Sequence, residues 1–571
     1  MKGSTITTPI LDNQFAADRM LRNALAHQLP STVFDSAHDR LHEEGGRQQQ
    51  RYKVRQQANE PEHPGRVRTE DAWGHPIQQA TVPTSWTQAR RAMTDHGMVQ
   101  MAQGQPYGSH SRLVQMALMH LMAPEAPGLA PLIARTDVAV YTLLRTGTAE
   151  HVKHLVPRFT SKDPDTAWLC DIWGTSHLLS SPDTALQAAN EDGTWHLHGR
   201  VLTHSATYPD AALIVAPDAD GTRHLFLLKE PAKASGLRID TPATSVAHPE
   251  APTATLQLDG VAVEHLTDTV GRRGPAPFLQ YIWDAVITVS CMRRALALAR
   301  GAAETWRVQD KELAYNTLIQ ETLADMQARY ESAFNLTARC VQALGRMEAE
   351  HQDAAEALVP LLAPLAKHHA LHQAGHVSAR ALHIWGQPAL RSQTGLTATL
   401  DRLRAQTTTN GTPHDMALHL LHVIEHKQQF GSLRTDFKDT LRGLSVETLV
   451  PSMKAAVLAF RDANDWIKDA RAAGGETLEA GAGRFAHTVG NALSVALMID
   501  HAEWALRTQQ DGRPAAAVER FATTPLNHIS DLDPHDAYVL TWDFNCPTLF
   551  DCHSGTAGDA SLKAVDSLLA T

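Results

Sequence analysis

The sequence predicts an α+β multidomain protein in which a compact β unit sits between two helical regions. Three observations predict it. Apolar residues recur at helical spacing up to about residue 165, the period changes to two from about Trp168, and long Ala/Leu-rich helical runs resume after Gly274-Pro275. The 571 residues suffice for several structural units. A composition of 43% hydrophobic and 20% charged residues is globular and excludes a disordered or fibrous chain.

The elements follow in chain order. Met93 to Met98 and Leu113 to Met122 carry apolar side chains at helical spacing, Pro124, Pro127 and Pro131 interrupt, and 136–144 reads as a further apolar helix. The stretch 42–57, crowded with Glu, Arg and Gln, reads as a solvated arm or as a segment lying against a partner subunit. Strands are expected at 195–204, after the turn Glu191-Asp192-Gly193, and at 212–216, 224–228 and 254–263, which together make a barrel or sandwich. Helices at 278–309, 315–348, 354–385 and 414–429 form a four-helix bundle, with a Gly/Pro/Thr-rich stretch at 386–413 before the last. A further helical region from 445 to about 522 is broken by glycines at 474–475 and 481–483, and a loop-like tail begins at Thr524. The expected domains are 1–165 (helical, with the polar arm), 166–275 (β), 276–445 (bundle) and 446–571 (additional helical region and tail).

Charge and motifs exclude several functions. The net charge is −11, and residues 440–571 hold 10 Lys/Arg against 17 Asp/Glu, so nucleic acid is not an expected partner. No window nears the ~18 apolar residues of a membrane helix. Met1 to Asp12 lacks a signal-like basic and apolar pattern, and five scattered cysteines suit a reducing compartment, so a cytoplasmic location is expected. Neither a Gly-x-Gly-x-x-Gly nor a P-loop occurs. Histidine is abundant, at 32 residues. His368, His372 and His376, and also His422 and His426, recur at fourth positions, but without a His-Glu-x-x-His pattern they read as helix-face residues. Cys546, Cys552 and His553 are wrongly spaced for a zinc knuckle, so no metal is expected.

Several segments, in this order, resemble the acyl-CoA dehydrogenase superfamily. Asp171-Ile-Trp-Gly-Thr-Ser-His is similar to Glu-x-x-x-Gly-Ser-Asp. Gly199-Arg-Val-Leu-Thr-His-Ser-Ala, followed by Asp210-Ala-Ala-Leu-Ile-Val-Ala, is similar to the Gly-x-Lys-x-(Trp/Phe)-Ile-(Thr/Ser) strand and its successor. Cys291-Met-Arg-Arg-Ala-Leu-Ala-Leu-Ala resembles the first bundle helix, and Ala381-Leu-His-Ile-Trp-Gly386 the Ala-x-x-x-x-Gly-Gly loop. Asn410-Gly411-Thr412 stands where the family has Glu-Gly-(Thr/Ser). The polar arm and the region after 445 resemble the alkylation-response, AidB-like branch. The likeness covers about 165–430, and the N-terminal helices more loosely.

The resemblance implies FAD between the β unit and the bundle, an oxidoreductase acting on an acyl thioester or a small carbon acid or amine, and a homodimer, homotetramer or hetero-oligomer with an active homologue. It assigns Cys170, Ser176, Thr203, Ser205, Arg307, Gly386, Gly411 and Thr412 to the cofactor. The departures point to non-standard chemistry. A carboxamide at Asn410 cannot take the proton that the family's Glu abstracts. The family's arginine on the first bundle helix falls at Tyr281, with Trp283 in place of an acid, and Arg307 is one residue out of register. Asp401, Asp415, Asp284 or His414 is then the candidate base, with His414 first. Two alternatives stand beside this reading: a degenerate, FAD-free protein or partner subunit, and an AidB-like nucleic-acid-associated protein. Trp173, Trp283, Trp306 and Trp385 are expected near the cleft.

Overall fold

The computed structural model describes residues 6–57, 65–175, 185–203, 208–243, 251–268, 270–308, 310–391, 394–427, 430–530, 532 and 534–542. The N-terminal region contains α1 (Arg19–Gln28), α2 (Ser31–Gln57), a hairpin of β1 (Arg66–Glu70) and β2 (Pro76–Thr81), α3 (Thr84–Asp95), α4 (Gln100–Gly104), α5 (Ser111–Met122), α6 (Leu129–Thr146), α7 (Ala149–His154) and α8 (Val156–Phe159). Helix α5 is buried on every side, and α6 nearly so, which suits their all-round apolar sequences. The polar stretch 42–57 is neither arm nor loop but the second half of α2. Glu44, Gln48 and Tyr52, four residues apart, form a buried stripe on it. Glu44 bonds His96 at 2.9 Å and the Tyr52 hydroxyl donates to the Pro9 carbonyl at 3.1 Å, so this helix is seated by polar contacts that a hydrophobic pattern does not register.

The β unit comprises β3 (Cys170–Trp173), β4 (Ala185–Glu191), β5 (Thr194–Leu202), β6 (Ala211–Pro217), β7 (Arg223–Lys229), β8 (Leu237–Ala243) and β9 (Thr253–Thr267). They form one curled sheet in the order β3-β6-β7-β9-β5-β4, with β8 paired to β9. Among the described strands, only the β3–β6 pair is parallel. The long β9 closes the unit, because it pairs with β5, β7 and β8 along its length. Strand β6 shows why its sequence is continuously apolar. Ala212, Ile214 and Ala216 face the sheet's own core, whereas Ala211, Leu213 and Val215 join the helical core.

The bundle consists of α9 (Pro277–Thr305), α10 (Thr317–Ala349), α11 (Asp353–Trp385), α12 (Leu396–Gln406) and α13 (Pro413–Lys427). The chain continues through α14 (Phe430–Leu441), α15 (Val450–Ala473), α16 (Gly475–Gln509), α17 (Arg513–Ala522) and α18 (Pro534–Trp542). Two expectations are corrected here. The glycines at 481–483 do not break α16; a Cβ at Gly481 would strike the Trp466 ring, so this glycine permits a close crossing with α15. The tail is not all loop, since α18 forms from Pro534.

Where α11, α16 and the segment after α17 meet, imidazoles pack against one another. Ring centroids lie 4.6 Å apart for His368–His372, 4.4 Å for His372–His487 and 4.0 Å for His487–His528. Burial, then repulsion from neighbouring histidines, lowers His372 to about 4 and His487 to about 2. Burial likewise lowers His369 to about 3. The unfolded chain therefore binds more protons below pH 6.5, and stability falls as the pH drops from there toward these folded-state values. Each such histidine steepens the loss by up to ~1.4 kcal/mol per pH unit. Urea midpoints measured between pH 7 and 5 should fall accordingly, and His487→Leu should flatten the slope.

Candidate active site

The site is built around one buried ammonium. Lys367, in the middle of α11, is fully enclosed and faces Asp284 near the start of α9, with Nζ 2.9 Å from a carboxylate oxygen. Nζ also donates to the carbonyls of Thr409 at 2.5 Å and Asn410 at 3.0 Å. These two carbonyls belong to the turn between α12 and α13, so the ammonium fastens that turn to the bundle. Burial depresses the Lys367 ammonium's pKa, and Asp284 opposes the shift.

The turn's sequence suits its shape. Asn410 has φ 50° and Gly411 φ 100°, the left-handed region that Asn and Gly enter most readily. From there the Asn410 amide donates to both Asp284 oxygens, at 3.2 and 3.1 Å. Thr412 and Asp415 then cap α13. The Thr412 hydroxyl donates to the Asp415 carboxylate at 2.8 Å, and the Asp415 N–H donates to that hydroxyl at 3.2 Å. Tyr281, one turn before Asp284 on α9, lies with its ring 5.3 Å from Lys367 Nζ and edge-on to His419. Its buried hydroxyl has no hydrogen-bond partner among the described residues, and burial pushes its pKa up.

A second chain of polar contacts links α9 to the β unit. The Trp283 indole donates to Asp137 of α6 at 2.9 Å, and Asp137 pairs with Arg112, which in turn pairs with Glu348. On the same helix, Thr136 accepts from the Cys170 N–H at 2.9 Å, and Arg135 pairs with Asp171 at 3.2 Å. Beside this chain, a cavity of about 470 Å³ opens between α6, β7, β9 and α9. Tyr141, Leu225 and Phe278 wall it, and Arg145, Arg272 and Arg273 contribute cations. Neither Arg272 nor Arg273 has an ion-pair partner among the described residues.

The residues singled out from sequence fall as follows. Asn410 and Gly411 form the turn, and Thr412 caps α13. His414 is exposed in the first turn of α13, and Asp401 pairs with Arg404 on α12 at 3.2 Å; among the described residues neither bonds Asn410. Of the three carboxylates considered, Asp284 is the one that meets Asn410. Thr203 lies at the end of β5, with its hydroxyl donating to the Ala254 carbonyl at 3.1 Å. The Cys170 thiol is buried and directed to the Asp171 carbonyl at 3.4 Å; burial, then Asp171, raises its pKa. Arg307 pairs with Glu312 across a short exposed hairpin. Gly386 ends α11 with φ 59° and open space around it, and the adjacent Trp385 packs against Trp306 at 5.1 Å. Ser176 and Ser205 lie outside the described residues. Lys367 was missed, and its signal is a single charge within the apolar run Leu361 to Ala370.

Comparison with known proteins fits this architecture. Residues 284–421 match the family model "Acyl-CoA dehydrogenase, C-terminal domain". The crystal structure of Caenorhabditis elegans ACDH-11 in complex with C11-CoA superposes with TM-score 0.85 at 23% identity, covering 96% of this chain and 98% of that one. The fold is that of the acyl-CoA dehydrogenases. An acyl-CoA dehydrogenase complexed with FAD from Bacillus anthracis is similar at TM-score 0.64 and 17% identity, over 82% of this chain and 85% of that one. No curated protein matches the chain.

Whether this version of the acyl-CoA dehydrogenase fold suits a flavin can be tested on its donors. The hydroxyls of Thr203 and Thr412 are engaged by Ala254 and Asp415, the Cys170 thiol is a poor donor, and Arg307 is paired. Among the described residues these assigned side chains are already engaged within the chain, and no step is derived through a flavin.

The ion pair itself is testable. Lys367→Met or Asp284→Asn alone leaves a buried group without its partner and should cost about 3–5 kcal/mol. The double variant should recover most of that loss, as measured by urea unfolding.

Proposed function

We propose that the chain is a flavoprotein oxidoreductase of acyl-CoA dehydrogenase type, acting on an acyl thioester or a small carbon acid or amine, with Asp284 rather than residue 410 as its base. One observation carries the second half of this reading. The turn that holds a Glu in the family here presents an amide, and the carboxylate within reach of that amide is Asp284. Asp415 is occupied in capping α13. The Asn410 amide and Lys367 hold Asp284 in one orientation, leaving it to receive a proton from a substrate C–H. The 470 Å³ cavity, apolar-walled with three arginines, suits anionic groups of an organic molecule; Asp284 is not among its lining residues, so a substrate held there would have to extend past Phe278 to meet it.

The fold and the FAD carried by a solved neighbour support the flavoprotein reading. A specific observation supports a rival, a fold retained without FAD as a partner subunit: the described donors assigned to the flavin are already engaged within the chain. The acidic balance of residues 440–571 disfavours the AidB-like nucleic-acid reading, and no nucleic-acid partner is proposed.

Purified protein should be yellow, with about one FAD per chain, and the colour should bleach anaerobically with substrate. The Asp284→Asn/Lys367→Met double variant should stay yellow and not bleach. Colourless protein that takes up no added FAD selects the partner-subunit reading instead.

A further inference from the structure

A second cavity, of about 370 Å³, lies where α1, the C-terminal half of α9, α10 and the start of α17 meet. Its lining includes Arg19, Arg293, Arg300 and Arg513, with Asp18 and Gln327. Arginines gathered around one cavity repel one another unless each has an anionic partner. The acids present account for three of them. Arg19 pairs with Asp511 at 3.3 Å, Arg293 with Asp18 at 3.1 Å, and Arg513 with Glu331. Asp18 is further committed, because it also accepts from the Tyr330 hydroxyl at 2.7 Å and bonds His120 at 3.1 Å.

What remains is donor capacity. Arg293, whose side chain is 8% exposed, keeps Nη1 buried without a hydrogen-bond partner, and Arg513 keeps Nε and Nη2 so. Arg300 has no ion pair among the described residues. Its one hydrogen bond goes to the neutral Gln327 amide oxygen at 2.9 Å. Burial, with Arg293 and Arg513 nearby, lowers Arg300 to about 10, although Glu304 and Asp18 oppose this.

We propose that this cavity is a binding site for a phosphoryl-bearing small molecule. The Nε/Nη2 edge of a guanidinium is the edge that grips two oxygens of one group, and on Arg513 that edge is vacant of partners. Arg293 and Arg300 supply further donors from a different helix. A tetrahedral phosphoryl dianion accepts from several directions at once, whereas a carboxylate is satisfied by one planar fork. Binding would also draw α17 against α1 and α9, so occupancy should stabilise the whole chain.

The test is thermal unfolding of the full chain in a pyrophosphate titration, with ionic strength held constant by NaCl. The wild type should show a saturable rise in Tm. Arg300→Gln leaves no acid without its partner, so it should fold as the wild type does and require at least tenfold more pyrophosphate. Arg300→Lys keeps the charge but loses the fork and should also bind more weakly, which covers the case of a poorly folded Gln variant. Arg434→Gln, on α14, should respond as the wild type does. An unchanged midpoint in both Arg300 variants, or a wild-type response that the salt control reproduces, overturns the site. An equal response to citrate overturns its assignment to phosphoryl groups.

Discussion

An ammonium enclosed in a helical bundle must be neutralised and given acceptors, or it would destabilise the core that encloses it. Lys367 meets this constraint with one carboxylate from α9 and two carbonyls from the α12–α13 turn. The requirement is geometric as well as electrostatic. It holds α9, α11 and the turn at a common point, and so fixes where residue 410 stands. It also accounts for which residue stands there. With Asp284 facing the turn, a second carboxylate at 410 would repel it, whereas the Asn410 amide donates to both of its oxygens. The amide at the turn, where the family has Glu, and the acid at position 284 are thus one arrangement.

Helix α9 organises more than this point. Tyr281 and Asp284 lie toward its start, Trp283 reaches α6, and Arg293 and Arg300 line the arginine cavity near its end. At ~1.5 Å per residue, Asp284 and Arg300 are about 24 Å apart along one rigid element. Because a fold hosts many chemistries, the activity has to be argued from these side chains and not from the superposition.

Much of the architecture was legible because it rests on apolar runs of characteristic length. The helices at 277–305, 317–349, 353–385 and 413–427 match long Ala/Leu-rich runs, and β5, β6, β7 and β9 match short alternating or continuous apolar runs. The failures have a common cause in contacts that the period does not encode. Helix α2 is seated by Glu44, Gln48 and Tyr52, and Gly481 permits a crossing under Trp466, which resembles a break in the sequence. At the site, Asn410-Gly411-Thr412 was located by its likeness to the family's Glu-Gly-(Thr/Ser), and the left-handed turn it makes was not anticipated. Lys367 was not located, since in a histidine-rich helix one lysine looks like a surface residue. The resemblance assigned the hydroxyls of Thr203 and Thr412 to a cofactor, whereas their engagement by Ala254 and Asp415 is tertiary and has no sequence signal.

Neutron diffraction from deuterium-exchanged crystals addresses the central arrangement most directly. Three deuterons on Lys367 Nζ, none on the Asp284 carboxylate, and the Asn410 ND₂ group directed at it are the predicted result. A neutral Lys367 amine, or an Asn410 amide turned away from Asp284, would contradict it.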